Sequence, residues 1–272
     1  MDPTPSEIEF GALPRSAGPR PSVYGDGTFP TYPERFSLLD RSLWKPVSMN
    51  RHVIHIYSQL DGMCTSNGAC GVMMAERSFR GVSPNDNPIL APEDLYAQHS
   101  KWGTGSTLGE NLRTLVDSGV QDRDACPREW PVETGKWTEL LRAENRMLEF
   151  VDLNADFDAV ATALQQYRPC LIGVRWPGGG GHAVLATELV RLPKGSPPPG
   201  MRVPDAAKAG WAIRGPNSWG EGWGEQPGYT ADEYQWLDVN NRGPLAGGWY
   251  TLTERQCADF GAYGCWAAGT SV

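Results

Sequence analysis

The spacing of apolar residues changes about halfway along the chain, near Phe150. Before that point apolar positions recur every three or four residues, a period typical of amphipathic helices. The clearest run predicts a helix over about 64–77, with Cys64 in its first turn. The same reasoning predicts further helices over 91–99, 109–118 and 139–146. The first half of the chain is therefore expected to be rich in helix.

After Phe150 only one helix is predicted, over 155–166, and the remaining apolar runs are typical of strands. These runs are separated by loops rich in glycine and proline, and they cover 169–175, 182–189, 210–214 and 248–252. One further strand is predicted earlier, over 51–57, and an exposed loop is predicted over 193–209. Helices followed by strands indicate an α+β fold with a cleft between the two parts.

Domain boundaries follow from the same pattern. The first thirty or so residues carry a proline or glycine every few positions and no period, so we predict an extended arm over 1–32. Residues 33–272 are predicted to form one domain, with a helical half over about 52–148 and a β-rich half over about 149–272. Apolar residues in the arm suggest that it lies across this domain or contacts a protein partner. A disordered tail is the alternative.

The length and charge of the chain exclude several classes of function. The 272 residues are enough to bury a sizeable core. Lys and Arg total 24 against 32 Asp and Glu, a net charge of −8, so we expect no nucleic-acid partner and no binding to anionic membranes. No apolar run approaches the roughly 20 residues of a membrane-spanning helix, and residues 1–5 lack the features of a signal peptide. We expect a cytoplasmic protein or a component of a phage or virion assembly.

The six cysteines indicate no metal site. They lie without any CxxC or paired Cys/His spacing, at positions 64, 70, 126, 170, 257 and 265. We therefore expect no metal and no cofactor. Cys257 and Cys265 are close enough in sequence for a disulfide, and two unbridged thiols are the alternative that the sequence leaves open.

Two residues have a sequence context suited to catalysis. Cys64 follows a turn at a predicted helix start, where the helix dipole and unbonded amides favour the thiolate. His182 follows the glycine run 178–181 at a predicted strand start, where a ligand can approach the backbone closely. A thiol beside an imidazole is the activated nucleophile of cysteine hydrolases. Taken alone, Cys64 could equally be a small buried apolar residue, and the other histidines are interpreted as structural.

Three segments resemble the papain family of cysteine peptidases. They are 58–65 (SQLDGMCT), 181–185 (GHAVL) and 217–225 (NSWGEGWGE), of which the last is the most specific. The first is similar to bacterial and phage forms that carry Cys-Thr at the nucleophile, and 90–96 and 119–122 resemble family segments more weakly. The resemblance covers about residue 33 to the C-terminus. It implies a papain-like fold with the active site in the cleft between a helical half and a β-sheet half.

The resemblance also implies a role for each matching residue. Cys64 would be the nucleophile, His182 the general base and acid, and Asn217 the residue that orients His182. Gln59 and the backbone N–H of Cys64 would stabilise the oxyanion. Trp219 would cover the hydrogen bond between Asn217 and His182, although a core aromatic would have the same sequence signal.

Departures from the family pattern affect the supporting residues. Gln59 lies five residues before Cys64, where the family usually has six, so Ser58 is a candidate to assist it. Turn formation is an equally good explanation for the glycines that could bind the substrate backbone. These candidates are Gly103, Gly105 and Gly181.

Three functions fit these features. The first is a cysteine peptidase, endo- or exopeptidase, that hydrolyses peptide or isopeptide bonds of a protein or peptide substrate through an acyl-enzyme. The second is a papain-fold structural or binding component of a larger assembly, such as a phage particle, with little or no turnover. The intact set Cys64, His182 and Asn217 favours the enzyme. The third, transglutaminase-like or deamidating chemistry, is disfavoured by the signature at 217–225.

Overall fold

Four α-helices and eight strands are described in a computed structural model of the chain. The described residues are 35–60, 62–98, 105–126, 145–175, 180–192, 210–223, 248–254, 257 and, for the backbone alone, 265–268. The predicted arm, the predicted loop over 193–209, most of the predicted helix over 139–146 and Gly103 lie outside these residues.

Four of the five helical predictions are confirmed, and of the fifth, over 139–146, only residues 145 and 146 are described and these are not helical. The ends of the four differ from the prediction by at most two residues: α1 is Cys64–Phe79, α2 Pro92–Ala97, α3 Leu108–Asp117 and α4 Phe157–Gln165. Three short 3-10 turns occupy Arg41–Leu43, Asn50–His52 and Arg123–Ala125. Helix α1 is the longest described helix, and it is buried along residues 64–77 because other elements surround it.

The strands form two antiparallel sheets of four strands each. Their bounds are β1 Val47–Ser48, β2 Phe150–Asp152, β3 Cys170–Arg175, β4 Gly181–Ala186, β5 Glu188–Arg191, β6 Trp211–Pro216, β7 Trp249–Thr253 and β8 Cys265–Ala268. One sheet has the order β1-β5-β6-β7 and the other β2-β8-β3-β4. Helices together with antiparallel sheets confirm the predicted α+β class. No helix in the described part of the chain is long and apolar enough to cross a membrane.

Two strand predictions are wrong. The strand expected over 51–57 begins as the 3-10 turn Asn50–His52, and the residues after the turn join no ladder. The single strand expected over 182–189 is two strands, β4 and β5, which belong to different sheets. Thr187 marks the break between them, since its N–H donates to Arg214 O at 2.8 Å and its hydroxyl donates to Asn50 Oδ1 at 3.0 Å.

Small residues let α1 approach the sheet that contains β4. A Cβ atom added at Gly68 would lie 2.5 Å from Leu171 Cδ1, and one at Gly71 would lie 3.1 Å from Leu185 Cδ2. Larger side chains at these positions would push the helix away from the sheet. The first turn of α1, which carries Cys64, is therefore held against the strand that carries His182.

The two sheets meet where β6 passes β4. A Cβ atom at Gly215 would lie only 1.8 Å from Leu185 O, a separation that no side chain permits. Tyr250 on β7 donates its hydroxyl to the same Leu185 oxygen at 2.9 Å. Glycine at 215 is thus required by the close approach of the two backbones. This contact brings the end of β6, where Asn217 follows, beside β4.

Candidate active site

Cys64 is the first residue of α1, preceded by Met63 as N-cap. The Met63 side chain makes no capping hydrogen bond, and the first turn contains no acidic residue. The backbone N–H of Ala183 donates to Cys64 Sγ at an N···S distance of 3.4 Å. The thiol therefore lies against β4, beside the residue that follows His182. Cys64 has no solvent-exposed surface.

His182 is the second residue of β4, opposite Val174 of β3, and it is also fully buried. Its Nε2 atom lies 2.7 Å from Asn217 Oδ1. That amide oxygen also accepts a hydrogen bond from Ser218 N at 2.8 Å. Because an amide oxygen only accepts, His182 Nε2 must carry the proton in this bond. The ring nitrogen suited to exchange a proton with a thiol is then Nδ1.

The surroundings of His182 disfavour its charged form. Burial lowers the pKa of His182 to about 4, and the hydrogen bond to Asn217 opposes that effect only in part. A buried imidazolium is expected at neutral pH only if a negative charge lies nearby to stabilise it. A thiolate at Cys64 would supply that charge.

Trp219 covers the imidazole. The two rings stack with centroids 4.7 Å apart and planes at 27°, and Trp223 packs edge-on against Trp219. The turn after Trp219 depends on Gly220, which has a φ of 85°. Gly220 N donates to Tyr57 O at 2.8 Å, which fixes this turn to the segment before α1. Trp219 thus lies over the His182 ring, and its role in covering the hydrogen bond between Asn217 and His182 stays a prediction.

Gln59 is tied to the residue after Asn217. Its backbone N–H donates to Ser218 O at 2.8 Å, and Ser218 Oγ donates to Gln59 Oε1 at 2.6 Å. With Oε1 occupied by this bond, the side-chain amide can present Nε2, its donor, to another oxygen. Ser58, which is exposed, forms an isolated antiparallel bridge with Trp219. Both residues thus lie at the edge of the His182–Asn217 pair.

A buried polar cluster that the sequence reasoning missed lies behind Cys64. Ser66 Oγ donates to Asn111 Oδ1 at 2.6 Å, and Asn111 Nδ2 donates to Ser106 Oγ at 2.9 Å. Ser106 is in turn hydrogen-bonded to Thr65. These bonds attach the first turn of α1 to the segment that enters α3. The available signal was the polar residues that follow Cys64 on a helix otherwise expected to be apolar.

Comparisons with known proteins identify the fold of the chain. A scan of protein-family models and a search of curated proteins each found no match to the sequence. Among solved structures, xylellain, a cysteine protease from Xylella fastidiosa, is similar with a TM-score of 0.62 and 16% identity over 97% of this chain and 96% of that chain. The fold is papain-like.

Two further structures with the papain-like fold extend the comparison. Digestive procathepsin L 3 from the larval midgut of Tenebrio molitor has a TM-score of 0.59 and 14% identity, over 88% of this chain and 73% of that chain. ProCathepsin B S9 from Trypanosoma congolense has a TM-score of 0.57 and 14% identity, over 97% and 87%. All three neighbours are cysteine proteases. The predicted papain-like fold is confirmed.

The glycine candidates have different positions in this papain-like fold. The backbone N–H of Gly105 donates to the Tyr96 hydroxyl at 3.1 Å, so this donor serves the fold. Gly181 begins β4 and pairs with Arg175, directly before His182. Roles for these glycines in substrate binding stay predictions. Among the described side chains, no group of three or more His, Cys, Asp or Glu residues is placed to hold a metal ion.

Proposed function

We propose that the protein is a cysteine peptidase that hydrolyses peptide or isopeptide bonds, with Cys64 as nucleophile, His182 as general base and acid, and Asn217 as orienting residue. One observation supports this most: Cys64 Sγ accepts the N–H of Ala183 while the adjacent His182 is bonded through Nε2 to Asn217 Oδ1 at 2.7 Å. A papain-like fold whose structural neighbours are cysteine proteases adds support.

Acylation begins with a proton transfer from Cys64 Sγ to His182 Nδ1. The thiolate attacks the carbonyl carbon of the scissile bond and forms a C–S bond, and the carbonyl oxygen becomes an oxyanion. When the tetrahedral intermediate collapses, the C–N bond breaks and His182 Nδ1 gives its proton to the leaving amine. The product is a thioester on Cys64.

Deacylation uses the same groups in reverse order. His182, neutral again, takes a proton from a water molecule, and the resulting hydroxide equivalent attacks the thioester carbonyl. The C–S bond breaks, the acid product leaves, and His182 returns the proton to Cys64. Asn217 holds Nε2 throughout, so that Nδ1 faces the reacting atoms in both steps.

Oxyanion stabilisation is assigned to Gln59 Nε2 and the N–H of Cys64. The amide of Gln59 is oriented for this by the bond from Ser218 Oγ to its Oε1. In a comparable hydrolase site, one such donor contributes about 2.7–4 kcal/mol to transition-state stabilisation. The start of α1 adds the favourable end of the helix dipole.

Turnover distinguishes this proposal from a structural role in an assembly. The purified protein is incubated with an unfolded protein substrate and with a pool of short peptides, and the products are identified by mass spectrometry. We expect new peptide termini with the parent and none with the folded Cys64→Ala variant. Internal cuts would indicate an endopeptidase, and stepwise shortening an exopeptidase. No cleavage by the folded parent would contradict the proposal and favour the structural role.

A further inference from the structure

A small cavity lies beside Asn217, between the first two turns of α1, strand β4, the end of β6 and residues 55–57. Its volume is about 20 Å³. A space of this size is sufficient for one water molecule, provided that polar groups are present to bind the water.

Two of the residues that line the cavity carry buried amides. Asn67 and Asn217 are each 3% exposed. The Nδ2 atom of each is buried and has no acceptor among the described residues. A buried amide donor without an acceptor costs free energy, so a native structure normally supplies a partner. Both donors would be satisfied by one acceptor placed in the cavity.

The orientation of these groups follows from their places in the fold. Asn67 lies three residues after Cys64, on the same face of α1. Asn217 uses Oδ1 for His182 and Ser218 N, so Nδ2 is directed away from them. Ala183 also lines the cavity, on the edge of β4 that does not pair with β3. Its N–H points off that edge to Cys64, and in an extended strand the carbonyl of the same residue points the same way.

We propose that one ordered water molecule fills this cavity, accepts hydrogen bonds from Nδ2 of Asn67 and of Asn217, and donates to Ala183 O. Asn67 is thereby a positioning residue, which acts through the water on Asn217. If the Asn217 amide rotated by half a turn, Nδ2 would face the protonated Nε2 of His182, donor against donor. The water prevents this rotation because it gives Nδ2 its acceptor on the far side.

The water is tested by a high-resolution crystal structure of the full chain. We expect one density peak in the cavity within about 3.2 Å of both Nδ2 atoms. A dry cavity, or Asn67 and Asn217 satisfied by direct bonds to protein groups, would overturn the proposal. This readout does not depend on peptidase activity, although the positioning role rests on the proposed function.

The positioning role is tested by the rate at which iodoacetamide alkylates Cys64 at pH 6. Asn67→Ala should lower that rate roughly twofold to tenfold, the effect of losing one neutral hydrogen bond. In the Asn217→Ala background the same substitution should have no further effect, because Asn67 acts only through Asn217. Additive losses would overturn the role of Asn67. If Asn67→Ala does not fold, Asn67→Ser is measured: it keeps a donor for the water and should retain the parent rate, and a loss would overturn the role.

Asn87→Ala is the matched control. Asn87 is also 3% exposed. Its Nδ2 donates at 2.9 Å to the carbonyl oxygen of Met74, which lies on α1 as Asn67 does but away from the cavity. This variant should lose stability and keep the parent alkylation rate. If it slows alkylation as much as Asn67→Ala does, the effect of Asn67 is general to α1 and the proposal is wrong. A folded parent in which Cys64 does not react would contradict the proposed function instead, and the crystal structure would still test the water.

Discussion

On the β-sheet side of the candidate site, His182 is positioned by side chains: Asn217 bonds to its Nε2 and Trp219 stacks on its ring. On the helical side, the position of Cys64 comes from the backbone of α1, and a backbone N–H, that of Ala183, donates to its sulfur. His182, the proposed base, is thus oriented by neighbouring residues that mutation can remove singly. The position of Cys64, the proposed nucleophile, depends on where a helix begins.

The α-helices differ in whether their first turns carry a side-chain cap or an acidic residue. Helix α3 begins with a capping box, in which Thr107 and Glu110 each bond to the other's backbone N–H, and Asp156 caps α4. Helix α2 has acidic residues in its first turn. Among the described helices, α1 alone has neither a side-chain cap nor an acidic residue there. No cap and no first-turn carboxylate of α1 therefore competes with an anion at Cys64, either the thiolate or the oxyanion, for the positive end of the helix dipole.

The largest expected effect is on turnover. His182→Ala should lower kcat by about 10⁴-fold or more, because it removes the base and the acid together. Asn217→Ala should lower kcat by roughly 10- to 10³-fold, because the imidazole remains and loses only its orientation. Both are measured with a peptide substrate from steady-state rates at saturating concentration. Equal losses would mean that Asn217 does more than orient His182.

A second prediction concerns the effect of a Cys64 thiolate on the pKa of His182. In Cys64→Ser no thiolate is present, so burial should keep the pKa of His182 near the value of about 4 that the fold imposes. In the parent, a Cys64 thiolate should raise the pKa of His182. NMR titration of the imidazole signals compares the two proteins. Identical titrations would contradict the proposed ion pair.

The lowered pKa of His182 also predicts how the stability of Cys64→Ser depends on pH. Unfolded His182 titrates near 6.5 and folded His182 near 4, so between these pH values the unfolded state binds more protons. The free energy of unfolding should fall as the pH is lowered from about 6.5 to about 4, by up to about 3 kcal/mol from this group. Cys64→Ser combined with His182→Gln is the control and should lack this decrease. Chemical denaturation at several pH values measures it.

The smallest expected effect comes from removing the side-chain cap of α3. Thr107→Ala removes the side-chain oxygen that accepts from Glu110 N, and it should cost about 1 kcal/mol of stability. The reactivity of Cys64 toward iodoacetamide should not change, since Thr107 caps α3 and not α1. Denaturation and alkylation are measured on the same preparation. A marked loss of alkylation without unfolding would show that the two helix starts are coupled.

The helices could be predicted from the sequence because the spacing of their apolar residues and the length of each run are both typical of helices. The strand predictions failed where local alternation does not reveal the pairing partner. The run 182–189 (HAVLATEL) contains no glycine, proline or other turn residue, yet Thr187 bonds to Arg214 and Asn50 and the chain changes sheet there. Strands β2 and β8 were missed because they are runs of only three and four residues that do not alternate.

The residues of the candidate site likewise divide into those that the sequence indicated and those that it did not. Cys64, His182 and Asn217 each lie in a recognisable segment, so the sequence indicated them and their expected order. Asn67 lies in no such segment, and its position beside Asn217 depends on how α1 packs on β4 and how closely β6 passes it. Contacts of this kind join residues that are far apart in the chain, and no local pattern predicts them.

The central claim is that Cys64 is an activated nucleophile at neutral pH. Burial raises the pKa of the Cys70 thiol and raises that of Cys126 to about 12, so neither should compete. The most direct test is to treat the folded protein with an epoxide-type cysteine-protease probe and to map the modified residue by mass spectrometry. We predict one modification, on Cys64, with loss of peptidase activity. Modification of another cysteine first, or none on Cys64 in the folded parent, would contradict the account.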